Sequence, residues 1–216
     1  MIGTPGTLSA NCPYIELLNT HNILRFQGST AITFLGAVTP LPFFQNLNTQ
    51  FWAQSFTAFG IMRQDGAPSV SNTFHCFKPN TLSIMLLATT GAGFDVLRLS
   101  VLTSNNQFVV VDAGIILNQG WKVVCWQWDH TNKRAKIVIN GTVFSSVNVA
   151  MNTFDFRIPT SSYTVGQRQT EAGTIISPLT GKLGEFFYYN DVKSNADINS
   201  CGNYLADKYG LTWTNI

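Results

Sequence analysis

From Trp121 to Val149 the chain reads as three consecutive strands with almost nothing between them. Side chains alternate across a strand, so Trp121, Val123 and Cys125 share one side of Trp121–Trp128, and Trp126 and Trp128 share the other. Asp129-His130-Thr131-Asn132 is turn chemistry, because short polar side chains bond their own backbone. Arg134–Ile139 returns with Ala135, Ile137 and Ile139 on one face and Lys136 and Val138 on the other. Asn140-Gly141 supplies the positive φ angles a tight hairpin turn requires, and Thr142–Val149 follows. A meander of this period must lie in an antiparallel sheet, and its apolar face needs a second layer.

The same rhythm runs through most of the chain. Asn22–Thr33 reads as strand, Gly-Ser turn and strand; Phe51–Arg63 is aromatic and β-prone, with Gly60 suggesting a bulge. Ser83–Ala88, Phe94–Val101 and Phe108–Asp112 are short strands bounded by Gly, Asn and Ser. One helix stands out near the end. Ser194 caps it, Asp197 sits at its third position, and Ile198, Cys201, Leu205 and Tyr209 form a single apolar stripe. Asp197 in the first turn and Lys208 in the last suit the helix dipole, and Gly210 ends it. Gln167–Pro178 reads as a flexible loop. The pattern predicts one all-β domain over residues 1–216: a sandwich of two antiparallel sheets with one short C-terminal helix. Lys136, Pro159 and the helix are the expected protectors of sheet edges.

Several segments resemble the concanavalin A-like lectin/glucanase superfamily in its laminin G-like branch. Leu24-Arg25-Phe26-Gln27-Gly28-Ser29-Thr30 is similar to the family's opening strand and turn, and Ser55-Phe56-Thr57 to its next strand, with Phe59 where a Trp is usual. Gly120–Trp126 with Trp128-Asp129, and Ile137-Val138-Ile139-Asn140-Gly141, resemble the central hairpin. Val165-Gly166, Gly181–Asn190 and the helix ending Tyr204-Leu205-Ala206-Asp207-Lys208-Tyr209-Gly210 follow in the family's order. The resemblance implies a concanavalin A-like jelly roll with its termini close together. It speaks to fold, because this fold hosts lectins, hydrolases, adhesins and virion proteins alike.

Composition removes other classes. Only 24 of 216 residues are charged, 11% against a usual 25% or so, while Thr, Asn and Ser supply 57. Net charge is +2 and the densest basic stretch is Lys133-Arg134 with Lys136, too little for nucleic acid binding through phosphate contacts. No apolar run approaches the ~20 residues of a bilayer span. The opening MIGTPGTLSA has neither a basic nor an apolar signal-peptide region, so synthesis in a cytoplasm is expected. Cys12, Cys76, Cys125 and Cys201 show no zinc spacing; Cys125 reads as a buried thiol, and Cys12 and Cys201 would pair only if the termini meet.

The same residues bear on chemistry. The superfamily's glucanases carry carboxylates at alternating positions of one strand, and glycoside hydrolysis needs two of them about 5–9 Å apart. Glu16, Glu171 and Glu185 each stand alone, and His21, His75 and His130 are scattered. No enzyme is expected, and no cofactor. A calcium ion, which some relatives bind, would draw on Asp65, Asp95, Asp129 with Asn132, or Asp155. Glycan binding needs an aromatic platform and polar groups for hydroxyls. Trp126, Trp128, Arg63, His75 and Arg168 are the candidates, if Val123 and Cys125 face the inter-sheet core and the tryptophans the outer face. The alternative is that both tryptophans are core or lie under a neighbouring subunit.

Two functions follow as expectations. One is a structural or adhesive virion component, such as a phage capsid decoration, head fibre or tail part. It would form homo-oligomers, contact other virion proteins and touch host surface glycans. Low charge, abundant Thr/Asn/Ser and the apolar strip Pro40, Leu41, Pro42, Phe43 and Phe44 motivate it. The other is a soluble carbohydrate-binding lectin module; a glycoside hydrolase is the weaker third.

Overall fold

The computed structural model describes residues 14–27, 32–35, 55–65, 72–78, 85–90, 96–102, 108–113, 120–148, 162–166, 168–169, 175–176 and 179–216. Two antiparallel sheets form the body. The seven-stranded sheet contains β1 (Tyr14–Leu18), β2 (His21–Gln27), β4 (Phe56–Gln64), β9 (Lys122–Asp129), β10 (Arg134–Ile139), β11 (Thr142–Asn148) and β15 (Thr180–Tyr189), in the order β1-β2-β15-β4-β9-β10-β11. The six-stranded sheet contains β3 (Ile32–Leu35), β5 (Asn72–Lys78), β6 (Met85–Thr90), β7 (Val96–Leu102), β8 (Phe108–Ala113) and β12 (Ser162–Val165), in the order β3-β12-β5-β6-β7-β8. The late strands β12 and β15 sit inside sheets begun by early ones, so the chain crosses repeatedly between layers. This is a jelly-roll sandwich with, among the described residues, a C-terminal helix, α1 (Asn195–Tyr209).

The β9–β10–β11 meander forms where the sequence places it. Asn140 and Gly141 take φ of 48° and 81° at the β10–β11 turn. The Asn140 N–H donates to the Val123 carbonyl at 2.9 Å, and its side-chain oxygen accepts from the Val123 N–H at 2.9 Å. Helix α1 also follows its signals. Ser194 and Asp197 close a reciprocal capping box, and Gly210 ends the helix with φ 66°.

What the sequence pattern left open was which face of the large sheet meets the second layer. Val123 and Cys125, with Ile23, Phe59, Ile61 and Val138, face α1 and pack against Ile198, Leu205, Ala206 and Tyr209. Trp126 and Trp128 therefore point the other way, between the sheets, and are 0% and 1% exposed. The Phe26 ring, on that inner face, lies against Gly166 at the end of β12. Of the orientations the sequence left open, this is the one in which both tryptophans are core, because the helix claims the face that carries the smaller apolar side chains. Each such buried side chain contributes about 1.5–3 kcal/mol, and here both faces of the central strands collect that gain.

Other expectations shift for similar reasons. β4 pairs with β9 without interruption from Phe56 to Met62, so Gly60 is not a bulge; it leaves room for the Phe186 ring of β15. Lys136 guards no edge, since β10 is paired on both sides by β9 and β11. The stretch read as a loop contains a short ladder, β13 (Arg168–Gln169) with β14 (Ile175–Ile176). Strand β1 carries no recognisable signal because its polarity is reversed: Ile15 and Leu17 are exposed, and Glu16 turns to the charged side chains of its neighbours. Pro159 lies outside the described residues.

The segment after α1, Leu211–Ile216, folds back onto the sheet. Trp213 and Ile216 join the helix-side core, and Asn199 holds both, accepting from Trp213 Nε1 at 3.3 Å and from the Ile216 N–H at 2.9 Å. A Cβ on Gly141 would strike the Thr214 backbone, at a positive φ. Gly141→Ala is therefore expected to lower stability by about 2 kcal/mol, read as a fall in the urea midpoint. An unchanged midpoint would show that the tail does not dock there.

Candidate functional site

The C-terminal half of β15 carries the sequence Gly184-Glu185-Phe186-Phe187-Tyr188-Tyr189, and its register decides where each ring goes. Leu183 pairs with Met62 and Phe186 with Gly60, so Gly184 and Glu185 together oppose the single residue Ile61. This is a β-bulge, which shifts the alternation by one residue. Gly184 is the residue that fits, because a Cβ there would overlap the Ile61 side chain. Beyond the bulge Phe186 and Tyr188 face Trp126 in the inter-sheet layer, at ring distances of 4.9 and 6.4 Å. Phe187 and Tyr189 face outward beside α1, packed on Phe59 at 5.3 and 6.2 Å.

The link from β15 to α1 is fixed by two buried polar side chains. The Thr57 hydroxyl donates to the Asp191 carbonyl at 2.8 Å and accepts from the Lys193 N–H at 3.1 Å. The Gln127 amide donates to the Lys193 carbonyl at 2.9 Å and to the Thr57 oxygen at 3.1 Å. Buried polar groups are tolerated when satisfied in this way. Their bonds set the start of α1, and with it the spacing between helix and strand.

Between α1 and β15 lies an open groove of about 440 Å³. Phe187 and Tyr189 form its floor, and Ser200, Cys201 and Tyr204 its helical wall. Glu185, delivered by the bulge, stands at one end. It accepts from Lys208 Nζ at 2.7 Å and from the Tyr204 hydroxyl at 3.1 Å, while Lys208 also reaches the Tyr204 oxygen at 3.0 Å. At the other end Lys193 sits 4.4 Å above the Tyr189 ring and pairs with Asp191 at 2.8 Å. The Tyr189 hydroxyl and the Cys201 thiol are 3.6 Å apart, and Cys201 is a free thiol. The groove thus offers exposed aromatic surface, hydroxyls and a carboxylate, with an ammonium group bordering each end. Its inventory suits stacking and hydrogen bonding.

The candidates drawn from the sequence fall elsewhere. Trp126 and Trp128 have no free ring face to stack on a sugar, so the expectation of an outer aromatic platform built on them is corrected. Arg63 lies on the helix-side face, 2.5 Å from Asp65 in an ion pair. It is in register with Lys182 and Arg25 across three strands, and Glu16 bridges those two at 2.5 and 2.8 Å. His75 is in β5 and Arg168 in β13, and their side chains lie outside what the structure describes. The strip Pro40–Phe44 lies outside the described residues, as do Cys12, Asp95 and Asp155. Of the other calcium candidates, Asp65 holds Arg63 and Asp129 accepts from the Asn132 side chain at 2.7 Å. Among the described residues no three His, Cys, Asp or Glu side chains converge as a metal site, and no helix is long and apolar enough to cross a membrane.

The groove residues were partly visible. Tyr204 lies beside the apolar stripe of α1 and not on it, which marks an aromatic residue left outside the core; it is 47% exposed. Glu185 gives no such hint, since its direction depends on the bulge.

Two groups of the groove hold their protons more tightly in the fold than in an unfolded chain. The contact with Cys201, helped by burial, pushes the Tyr189 phenol up to about 12 from 10.0. Bonds from Glu185 and then Tyr204 raise Lys208 above its ordinary 10.5. A raised pKa means that the folded state binds more protons at high pH, so this stability is complete below pH 10 and is lost as pH climbs past it. The urea midpoint should be flat up to about pH 9.5 and fall above about pH 10. Tyr189→Phe should soften that fall.

No protein-family model matches the chain, and no curated protein matches it in sequence. Solved structures do match in fold. The CBM40 module of the Ruminococcus gnavus IT-sialidase, solved bound to α2,3-sialyllactose, superposes with a TM-score of 0.58 at 17% identity, over 71% of this chain and 85% of that one. The native heptameric SAP-like pentraxin from Limulus polyphemus gives 0.52 at 15% identity, over 69% and 70%. Botulinum neurotoxin type C, whose cell entry depends upon interaction with two ganglioside molecules, gives 0.56 at 12% identity, over 90% of this chain and 51% of that one. The protein therefore has the architecture of the lectin-like jelly-roll sandwiches.

Proposed function

We propose that the protein is a non-catalytic recognition module that holds a glycan in the groove between β15 and α1. The observation that carries this reading is the groove itself: two aromatic rings on its floor, and Tyr204, Ser200 and Glu185 around them, on a lectin-like sandwich. Sugars present an apolar ring face and a rim of hydroxyls, and this set answers both. Six of the eight carboxylates among the described residues serve structure. Glu16, Glu185, Asp65 and Asp191 hold cations, Asp129 forms a turn and Asp197 caps α1. That arrangement supports binding without bond cleavage. The fold neighbours whose structures name sialyllactose and gangliosides support it by analogy of fold.

The wild-type protein on an immobilised glycan array is expected to retain at least one glycan. Ser200→Trp, which fills the groove from an exposed helix position, should abolish that retention and leave the melting temperature unchanged. A wild type silent on the whole array overturns the reading.

A second reading places the module in a virus particle, meeting copies of itself and other virion proteins. The edges of the large sheet favour it. Ile15 and Leu17 on β1 are 69% and 68% exposed, and Val143 and Phe144 on β11 are also open. Unprotected apolar edge strands are templates for pairing with another chain. Native mass spectrometry should then show a defined oligomer that Ile15→Lys with Leu17→Lys reduces to monomer; a wild-type monomer at all concentrations removes this reading.

A further inference from the structure

We infer that the groove selects uncharged sugars and rejects acidic ones, and that Glu185 is the residue that sets this preference. The inference rests on the groove being the glycan site. No ammonium group lines the groove, and the two that border it are already matched: Lys208 by Glu185 at 2.7 Å and Lys193 by Asp191 at 2.8 Å. Asp197 adds a further negative charge near Lys193 and Tyr189, bonded to the Ser194 cap. Among the described residues Glu185 is thus the one charged side chain in the groove lining, and each bordering ammonium already has a carboxylate. The remaining nearby ammonium, Lys136, lies on β10 across α1 and bonds Asn195.

A sugar carboxylate or sulfate entering this groove meets no cation without a partner among the described residues. To bind, it must break an ion pair or sit against Glu185 in a partly desolvated site, where like charges repel strongly. A neutral pyranose meets no such barrier. The Glu185 carboxylate has about four lone-pair sites, and its bonds to Lys208 and Tyr204 leave capacity for a sugar hydroxyl. The Ser200 hydroxyl donates to the Ala196 carbonyl at 3.0 Å, and its oxygen keeps lone pairs for another donor. Phe187 and Tyr189 lie beneath, where the apolar face of a ring would rest. The charge balance thus differs from what a sialic-acid site would require, although the fold is shared with a sialyllactose-binding module.

The test uses the full chain and an array of matched glycans that differ only by a terminal sialic acid, uronic acid or sulfate. Wild type should bind uncharged members at least about ten-fold better than their acidic partners. Glu185→Gln preserves shape and leaves Lys208 without its anion. It should narrow or reverse the ratio, with Tyr204→Ala as the control that loses both. Preference of the wild type for acidic members overturns the inference while leaving the glycan site in place. A ratio unmoved by Glu185→Gln also overturns it. Silence toward every glycan removes the recognition reading and the inference together.

Discussion

Helix α1 lies flat on the outer face of the seven-stranded sheet, and most of the site depends on that contact. In a two-layer sandwich one face of each sheet is ordinarily wet. Here Ile198, Leu205, Ala206 and Tyr209 cover Val123, Cys125, Phe59 and Ile61, so β4 and β9 have no solvent face. The cover is extended by Trp213 and Ile216 of the tail. A helix resting on a sheet leaves a step along its flank, since the two surfaces curve differently. The groove over Phe187 and Tyr189 is that step.

The bulge in β15 turns the step into a site. A regular strand would have aimed Glu185 between the sheets, where an unpaired carboxylate is costly. The extra residue puts it outside, within reach of Lys208 and Tyr204, and rotates Phe186 and Tyr188 inward onto Trp126. One irregularity thus supplies both the polar end of the groove and part of the inter-sheet core. Thr57 and Gln127 perform a related service by fixing the loop before α1 from beneath.

The proposed recognition role fits this construction. Among the described residues Glu16, Asp65, Asp129, Glu185, Asp191 and Asp197 are engaged in holding the frame, and the groove surface is aromatic and hydroxylated with one carboxylate. The low charge of the chain as a whole, 24 residues in 216, has its counterpart in the groove, where each bordering ammonium has a carboxylate beside it.

Local order was legible in the sequence wherever neighbouring residues decide the outcome. The β9–β10–β11 meander and its Asn140-Gly141 turn, the capping box of Ser194 and Asp197, and the end of α1 at Gly210 all depend on short-range backbone chemistry. Alternation likewise separates Val123 and Cys125 from Trp126 and Trp128. It cannot say which set faces the second sheet, because both are apolar and both are buried; only the docking of α1 decided that. Strand β1 was illegible because its exposed positions hold Ile15 and Leu17. The site was illegible for a deeper reason. Glu185, Tyr189 and Tyr204 meet through a one-residue shift of register against β4 and the placing of a distant helix, and these are set by packing between segments far apart in the chain.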